Sequence, residues 1–215
     1  MRSSTAKEKI LKKIRSALLE KHDNPYPNND NVSLYPPSGA YLDILFAEEL
    51  IKVNGEFIFC TDVVDFLESL INLTEQKQWS NIYCWESSLQ QLFDECHFPY
   101  IGNDKNFIDN AEVGITTCEA LIARNGSVML SSMNESGRRL SIYPHCHIVV
   151  AFASQLVLDL KDAFLLIKER YGNTMPSMIS TITGPSRTAD IEKTLVLGAH
   201  GPKELFVFLI QDNIY

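Results

Sequence analysis

The spacing of apolar residues predicts an alternation of helices and strands that follows a separate N-terminal segment. Within Ser4 to Lys21, Ile10, Leu11, Ile14 and Leu18 recur at helical spacing, with lysines and an arginine over the remaining surface. A stripe this narrow predicts an appendage, packed on the body or completing a homodimer. His22 to Gly39 carries Pro25, Pro27, Pro36 and Pro37 among asparagines, which rules out a helix or a central strand and reads as a tether. From there the pattern predicts a helix over Tyr41–Asn54, a strand over Glu56–Cys60 and a helix over Asp62–Gln78 with Thr61 as its N-cap. A strand over Asn81–Trp85 and a helix over Ser87–Glu95 follow. The centre is β-rich at Gly114–Arg124, Ser127–Ser132 and His145–Phe152, with Ser131–Gly137 as a polar loop. Asn125-Gly126 predicts a type I′ turn pairing Ala120–Arg124 with Ser127–Leu130. The last third predicts a helix over Asp159–Tyr171 capped by Gly172, then a strand over Ser177–Thr183. A helix over Ser186–His200 is expected from Ile191, Leu195, Gly198 and Ala199, ended by Gly201-Pro202. Leu205–Ile210 reads as a buried final strand.

This order implies an α/β class, a mixed and largely parallel sheet flanked by helices, with an N-terminal helical arm. Residues 1–39 form the arm and tether, and residues 40–215 form one α/β domain. The composition, 45% hydrophobic and 21% charged, fits a globular chain and excludes disorder. A net charge of −8 argues against a general nucleic-acid binder, which needs a basic footprint. Ile148–Ala153 and Leu205–Ile210 are far shorter than the ~20 apolar residues that span a bilayer, and MRSSTAKEKI lacks the apolar core of a secretory signal. Cys60, Cys84, Cys96, Cys118 and Cys146 are odd in number and widely spaced, with no CxxC pair. That pattern predicts buried reduced thiols in a cytoplasmic protein that itself holds no iron–sulfur cluster or other cofactor.

The segment richest in chemistry is Thr183-Gly184-Pro185-Ser186-Arg187-Thr188-Ala189-Asp190-Ile191-Glu192. Read as a strand-to-helix turn, it offers unpaired N–H groups and a helix dipole to an anion, with Ser186, Thr188 and Arg187 as further donors. Arg187 and Asp190 sit at i, i+3, so an alternative is a capped helix with a local ion pair. His145 and His147 alternate on a strand and can share a face, but no third metal ligand is evident and no metal site is expected. His200 falls at a predicted helix end. Arg138-Arg139 reads as a solvated loop.

The stretch TGPSRTADIEKTLVLGAHGPKEL resembles the C-terminal signature of the LUD domain, found in the lactate utilization protein C family. GITTCEALIARNGSVMLSS and PHCHIVVAF resemble two further segments of that family, the second placing the family histidine at His147. The similarity runs from Gly114 to Ile210. The chain departs from the pattern at Glu119, where Asp is usual, and at Arg124, where Glu is usual. The resemblance implies a fold similar to the NagB/RpiA/CoA-transferase-like group, which also holds formyltetrahydrofolate cyclo-ligase. Ligands in that group bind at the C-terminal ends of parallel strands. It implies a subunit that takes part in oxidation of L-lactate to pyruvate beside iron–sulfur partner proteins. It also gathers a ligand set of Glu119, Asn125, Gly126, His147, Gly184, Ser186, Arg187, Thr188, Asp190 and Glu192, for a small anionic ligand. A stand-alone enzyme or a binding module for a phosphorylated or carboxylated small molecule is the alternative.

Overall fold

The computed structural model describes residues 5–19, 39, 41–189, 195–198 and 200–212. The chain divides between Ser38 and Gly39 into two units. In the first, α1 (Ala6–Leu19) is the described element. Its start is a reciprocal cap: Thr5 N donates to Glu8 Oε2 and Glu8 N to Thr5 Oγ1. The expected tether, His22 to Gly39, lies outside the described residues except for Gly39.

In the second unit, a five-stranded sheet runs parallel throughout, in the order β1-β11-β6-β3-β2. Its strands are β1 (Glu56–Cys60), β11 (Glu204–Ile210), β6 (Cys146–Phe152), β3 (Val113–Thr117) and β2 (Ile82–Cys84). β6 and β11 occupy the middle and read as near-continuous apolar runs, because both faces of a parallel sheet are covered. One face packs Cys146, Ile148, Val150, Phe206 and Phe208 on α3 (Val63–Lys77) and α4 (Ser87–Glu95). The other packs Val149, Ala151, Val207 and Leu209 on α2 (Leu42–Lys52) and on a second sheet. Each of the buried Val, Leu, Ile and Phe side chains among these contributes about 1.5–3 kcal/mol.

The second sheet has the order β7-β4-β5-β8, with β4 (Ala120–Ile122), β5 (Ser127–Ser131), β7 (Leu156–Val157) and β8 (Ile179–Ile182). Its far face carries α6 (Leu160–Tyr171) over Ala120, Ile122 and Met129. α5 (Phe107–Asn110) is a single turn before β3.

Three expectations need correction. Asp62, not Thr61, caps α3: its side chain accepts from Asp65 N at 2.9 Å, and Thr61 N instead donates to the Asp65 carboxylate. The helix starts at Val63, which leaves Thr61 one residue too early. The β4–β5 hairpin is antiparallel as predicted, but Ala123–Asn125 form a 3-10 turn and only Gly126 is left-handed, at φ 61°. Pairing of Ile122 with Ser127 leaves a longer connection than a type I′ turn allows. A Cβ on Gly126 would lie 2.3 Å from Leu50 N, so this glycine also lets the hairpin abut α2.

The third correction is the largest. Ser186–His200 contains no described helix; β9 (Arg187–Ala189) and β10 (Leu195–Leu197) pair antiparallel as a separate ribbon. Two of the four residues behind the helical reading were Gly198 and Ala199, which contribute little apolar surface. Leu195-Val196-Leu197 is a contiguous apolar run, which suits a short strand equally well. Arg187–Ala189 is a strand, so the expected helix start at Ser186, with its dipole, is not present among the described residues. Ser186 N donates to Pro202 O at 2.8 Å and Gly198 N to Ser186 O at 2.9 Å, so the ribbon is rooted by backbone bonds.

Candidate functional site

Folding of the ribbon against the start of β6 and β11 leaves an open cleft of about 350 Å3. Ser141 and Ile142 line it from the loop before β6, and Gly201 and Pro202 from the loop before β11. Thr181 and Ile182 come from β8, and Thr183, Gly184, Pro185, Ser186 and Arg187 from the connection into β9 and its first residue. His147, His200 and Leu205 complete the wall. His147 and Leu205 are the second residues of β6 and β11, so the cleft sits at the amino ends of the parallel strands. The resemblance had pointed to their carboxyl ends.

No carboxylate lines this cleft among the described residues. Its charged donor is Arg187, whose Nη2 is bonded to Val53 O, the C-cap carbonyl of α2. A guanidinium there completes an orphan helix carbonyl and meets the negative end of the helix dipole. It spends one of five N–H donors. Gly184 serves the same junction. Its φ is 73°, and a Cβ would stand 2.2 Å from Val53 O.

His147 is fully buried. Nε2 lies 2.9 Å from Thr116 Oγ1, and Nδ1 has no hydrogen-bond partner among the described residues. Burial pushes its pKa down to about 3, so the ring is neutral at physiological pH. His145 is exposed and precedes the strand; its carbonyl accepts from Lys203 N and Glu204 N. No group of three metal-ligating side chains is present among the described residues.

Of the ligand set read from the sequence, His147, Gly184, Ser186 and Arg187 meet in the cleft. Thr188 lies in β9, opposite Val196. Asp190 and Glu192 lie outside the described residues. Glu119 is elsewhere, 1% exposed beneath α6, where it accepts from Ser131 Oγ (2.5 Å), Arg170 Nη1 (2.5 Å) and Tyr171 Oη (2.7 Å). It anchors α6 to the second sheet. Asn125 is exposed and Gly126 is packed on α2, both outside the cleft. Arg124 pairs with Asp159, the N-cap of α6, so the acid-to-base departure also serves this anchorage. Ser141, Thr181, Thr183 and Gly201 were missed; the alternating hydroxyls of Thr181 and Thr183 on a predicted strand were the available signal.

A smaller cleft, about 240 Å3, lies at the carboxyl ends of β2 and β3 and includes Glu86, Ser87, Thr117, Asn134 and Glu135. Glu86 is buried and accepts from Thr117 N and Thr117 Oγ1. Burial pushes its carboxyl above the usual range, against the pull of those bonds. Glu135 is held below its ordinary value by the Ser87 hydroxyl and N–H. All five cysteines are free; burial pushes the thiols of Cys60 and Cys84 up to about 11 and 12, and those of Cys118 and Cys146 also upward. No described helix is long and apolar enough to cross a membrane.

A family model described as the LUD domain matches residues 101–210. The chain is 40% identical over 107 residues to Lactate utilization protein C of Bacillus subtilis (strain 168), covering 49% of this chain and 45% of that protein. It is 33% identical over 173 residues to the protein of that name from Geobacillus thermodenitrificans, covering 77% of this chain and 67% of that one. The matched region thus spans about half the length of the Bacillus relatives. A crystal structure of a DUF162 family protein from Deinococcus radiodurans superposes with a TM-score of 0.59 over 81% of this chain and 99% of the other, at 17% identity. At that identity the likeness concerns the fold alone.

Proposed function

This chain belongs to the LUD domain family, and from that premise we propose that it is a lactate utilization protein C-like subunit whose larger cleft binds a small anionic ligand. The names of its relatives support the lactate-linked role. The observation that carries the binding role is the lining of the cleft: Arg187 with several hydroxyl groups and no carboxylate among the described residues, in a chain of net charge −8. A guanidinium in a cleft whose described lining holds no carboxylate gives an acidic protein a local preference for anions. Its part in oxidation of L-lactate to pyruvate depends on partner proteins with iron–sulfur clusters, because two electrons leaving lactate need an acceptor. The chain itself needs no bound cofactor for this role. The cytoplasm is its compartment, and a homodimer through the N-terminal arm is a further element of the proposal.

The test is a thermal-shift and calorimetric panel of lactate, pyruvate, propionate and phosphate. Binding of at least one anion is expected, and Arg187→Ala should weaken it by about 1.5–3 kcal/mol, the loss of one charge-assisted bond. A panel in which no anion binds the wild-type chain removes the reading. A stand-alone enzyme is the second reading. It is favoured by Glu86 and Glu135 in the smaller cleft, whose environments push two carboxyls in opposite directions.

A further inference from the structure

Resting on the reading that the N-terminal arm completes a homodimer, we infer that α1 of one copy seats its apolar stripe in a groove between α2 and β1 of the other, and that the second copy returns the contact. The groove has a volume of about 290 Å3. Its apolar lining is Ile44, Ala47 and Ile51 of α2 beside Phe57 and Phe59 of β1. Ile44, Ala47 and Ile51 recur at helical spacing on the outer stripe of α2, while Phe46 and Leu50 are buried on its inner one. Phe57 and Phe59, two residues apart, share a face of β1. Ile44, Ile51 and Phe59 are 53%, 60% and 45% exposed. Exposed apolar side chains gathered in one groove mark an interaction site. β1 is also an edge strand of its sheet, the kind of edge that native proteins cover with a helix or loop.

The chemistry of the groove selects its occupant. Its two charged lining residues among those described, Asp43 and Glu48, are both acids. An apolar groove flanked by carboxylates fits a helix that carries an apolar stripe and basic flanks. α1 is such a helix. Ile10, Leu11, Ile14 and Leu18 form the stripe, and every described residue of α1 is exposed. Lys7, Lys9, Lys12, Lys13 and Arg15 outnumber its one acid, Glu8. The lengths agree: at about 1.5 Å per residue, Ile10 to Leu18 rises about 12 Å and Ile44 to Ile51 about 10.5 Å.

Neither surface suits its own copy. Arm against arm opposes two sets of basic side chains, and groove against groove sets Asp43 and Glu48 against their equivalents. Arm in groove pairs unlike charges, and exchange about a two-fold axis covers both surfaces in both copies. A basic amphipathic helix also suits an anionic lipid surface. The acids of the groove, in a chain of net charge −8, favour the protein partner.

The experiment is sedimentation velocity of the full chain across a range of concentrations. It is paired with photo-cross-linking from p-benzoylphenylalanine in place of Ile44, in a mixture of 15N-labelled and unlabelled chains. A dimer is expected, with cross-links to residues 6–19 that join a labelled chain to an unlabelled one. Ile51→Lys in the groove and Ile14→Asp in the arm, both at exposed positions that leave the fold intact, should each weaken the dimer at least about tenfold. Glu48→Lys should weaken it as well. A dimer lost in Ile14→Asp but unchanged in Ile51→Lys and Glu48→Lys overturns this inference and leaves an arm-mediated dimer standing. Cross-links confined to the arm of the same chain also overturn it. A chain that is monomeric at every concentration removes both, and binding of that monomer to phosphatidylglycerol vesicles, lost in Ile14→Asp, would assign the arm to a membrane surface instead.

Discussion

Glu119 is the sharpest place to separate a ligand-binding residue from a structural one. The sequence pattern put it in the ligand set, whereas the structure buries it under α6 with three donors. Oε1 accepts from Ser131 and Tyr171, and Oε2 from Arg170. In Glu119→Gln the amide oxygen can keep the first two bonds, while the amide nitrogen turns a donor toward Arg170. The lost charge-assisted bond is worth about 1.5–3 kcal/mol. The Arg170 side chain is 49% exposed and can turn to water, and removing a buried charge returns some desolvation energy, so the net cost is about 1–2 kcal/mol. Glu119→Leu goes further. It leaves the proton of the buried Ser131 hydroxyl without its acceptor, although that oxygen still accepts from Met133 N, and should cost about 3–5 kcal/mol. Each kcal/mol moves the melting temperature of a chain this size by about 2–4 °C, so the glutamine variant should melt about 2–8 °C lower. The assay is thermal unfolding by circular dichroism at pH 7, paired with the anion titration. A glutamine variant that melts with the wild type but loses anion affinity would refute the structural assignment and return Glu119 to the site.

Burial sets the pH response of His147. Its folded pKa is about 3 against an ordinary 6.5, so below about 6.5 the unfolded chain takes up a proton that the folded chain refuses. Stability should therefore fall as pH drops from 6.5 toward 3, by up to about 1.4 kcal/mol per pH unit, and His147→Gln should flatten this limb in urea titrations; an unchanged limb would contradict a neutral buried ring. Two left-handed glycines give a matched pair. Gly137→Ala, at φ 63° with open space, should cost only the backbone penalty of about 1–2 kcal/mol. Gly184→Ala should cost clearly more, because its Cβ meets the Val53 carbonyl at 2.2 Å. Equal midpoints in denaturant unfolding would show that the Gly184 approach to α2 is not close.

The local elements were legible where periodicity and end signals agreed. β1 and α4 match their predicted bounds, and α6 starts after Asp159 and stops at Gly172, because capping and period are properties of a few neighbouring residues. The alternation of strands and helices announced a parallel sheet, and the unbroken apolar runs of β6 and β11 accord with their burial on both faces of it. What adjoins what was not legible. Glu119 and Arg124 share a short stretch with the family signature, yet they anchor α6 through Arg170 and Asp159, 51 and 35 residues further on respectively. Arg187 ends on Val53 O, 134 residues away, and its segment became a ribbon where local spacing allowed a helix. A strand pairing or a cleft is decided by which distant surfaces bury together, and that free energy has no local signature. The sequence by itself therefore determined most elements up to β8, the parallel core and His147 as a residue of note. Only tertiary packing decided that His147 would face a cleft at the amino ends of its strands, neutral and with one nitrogen unpaired.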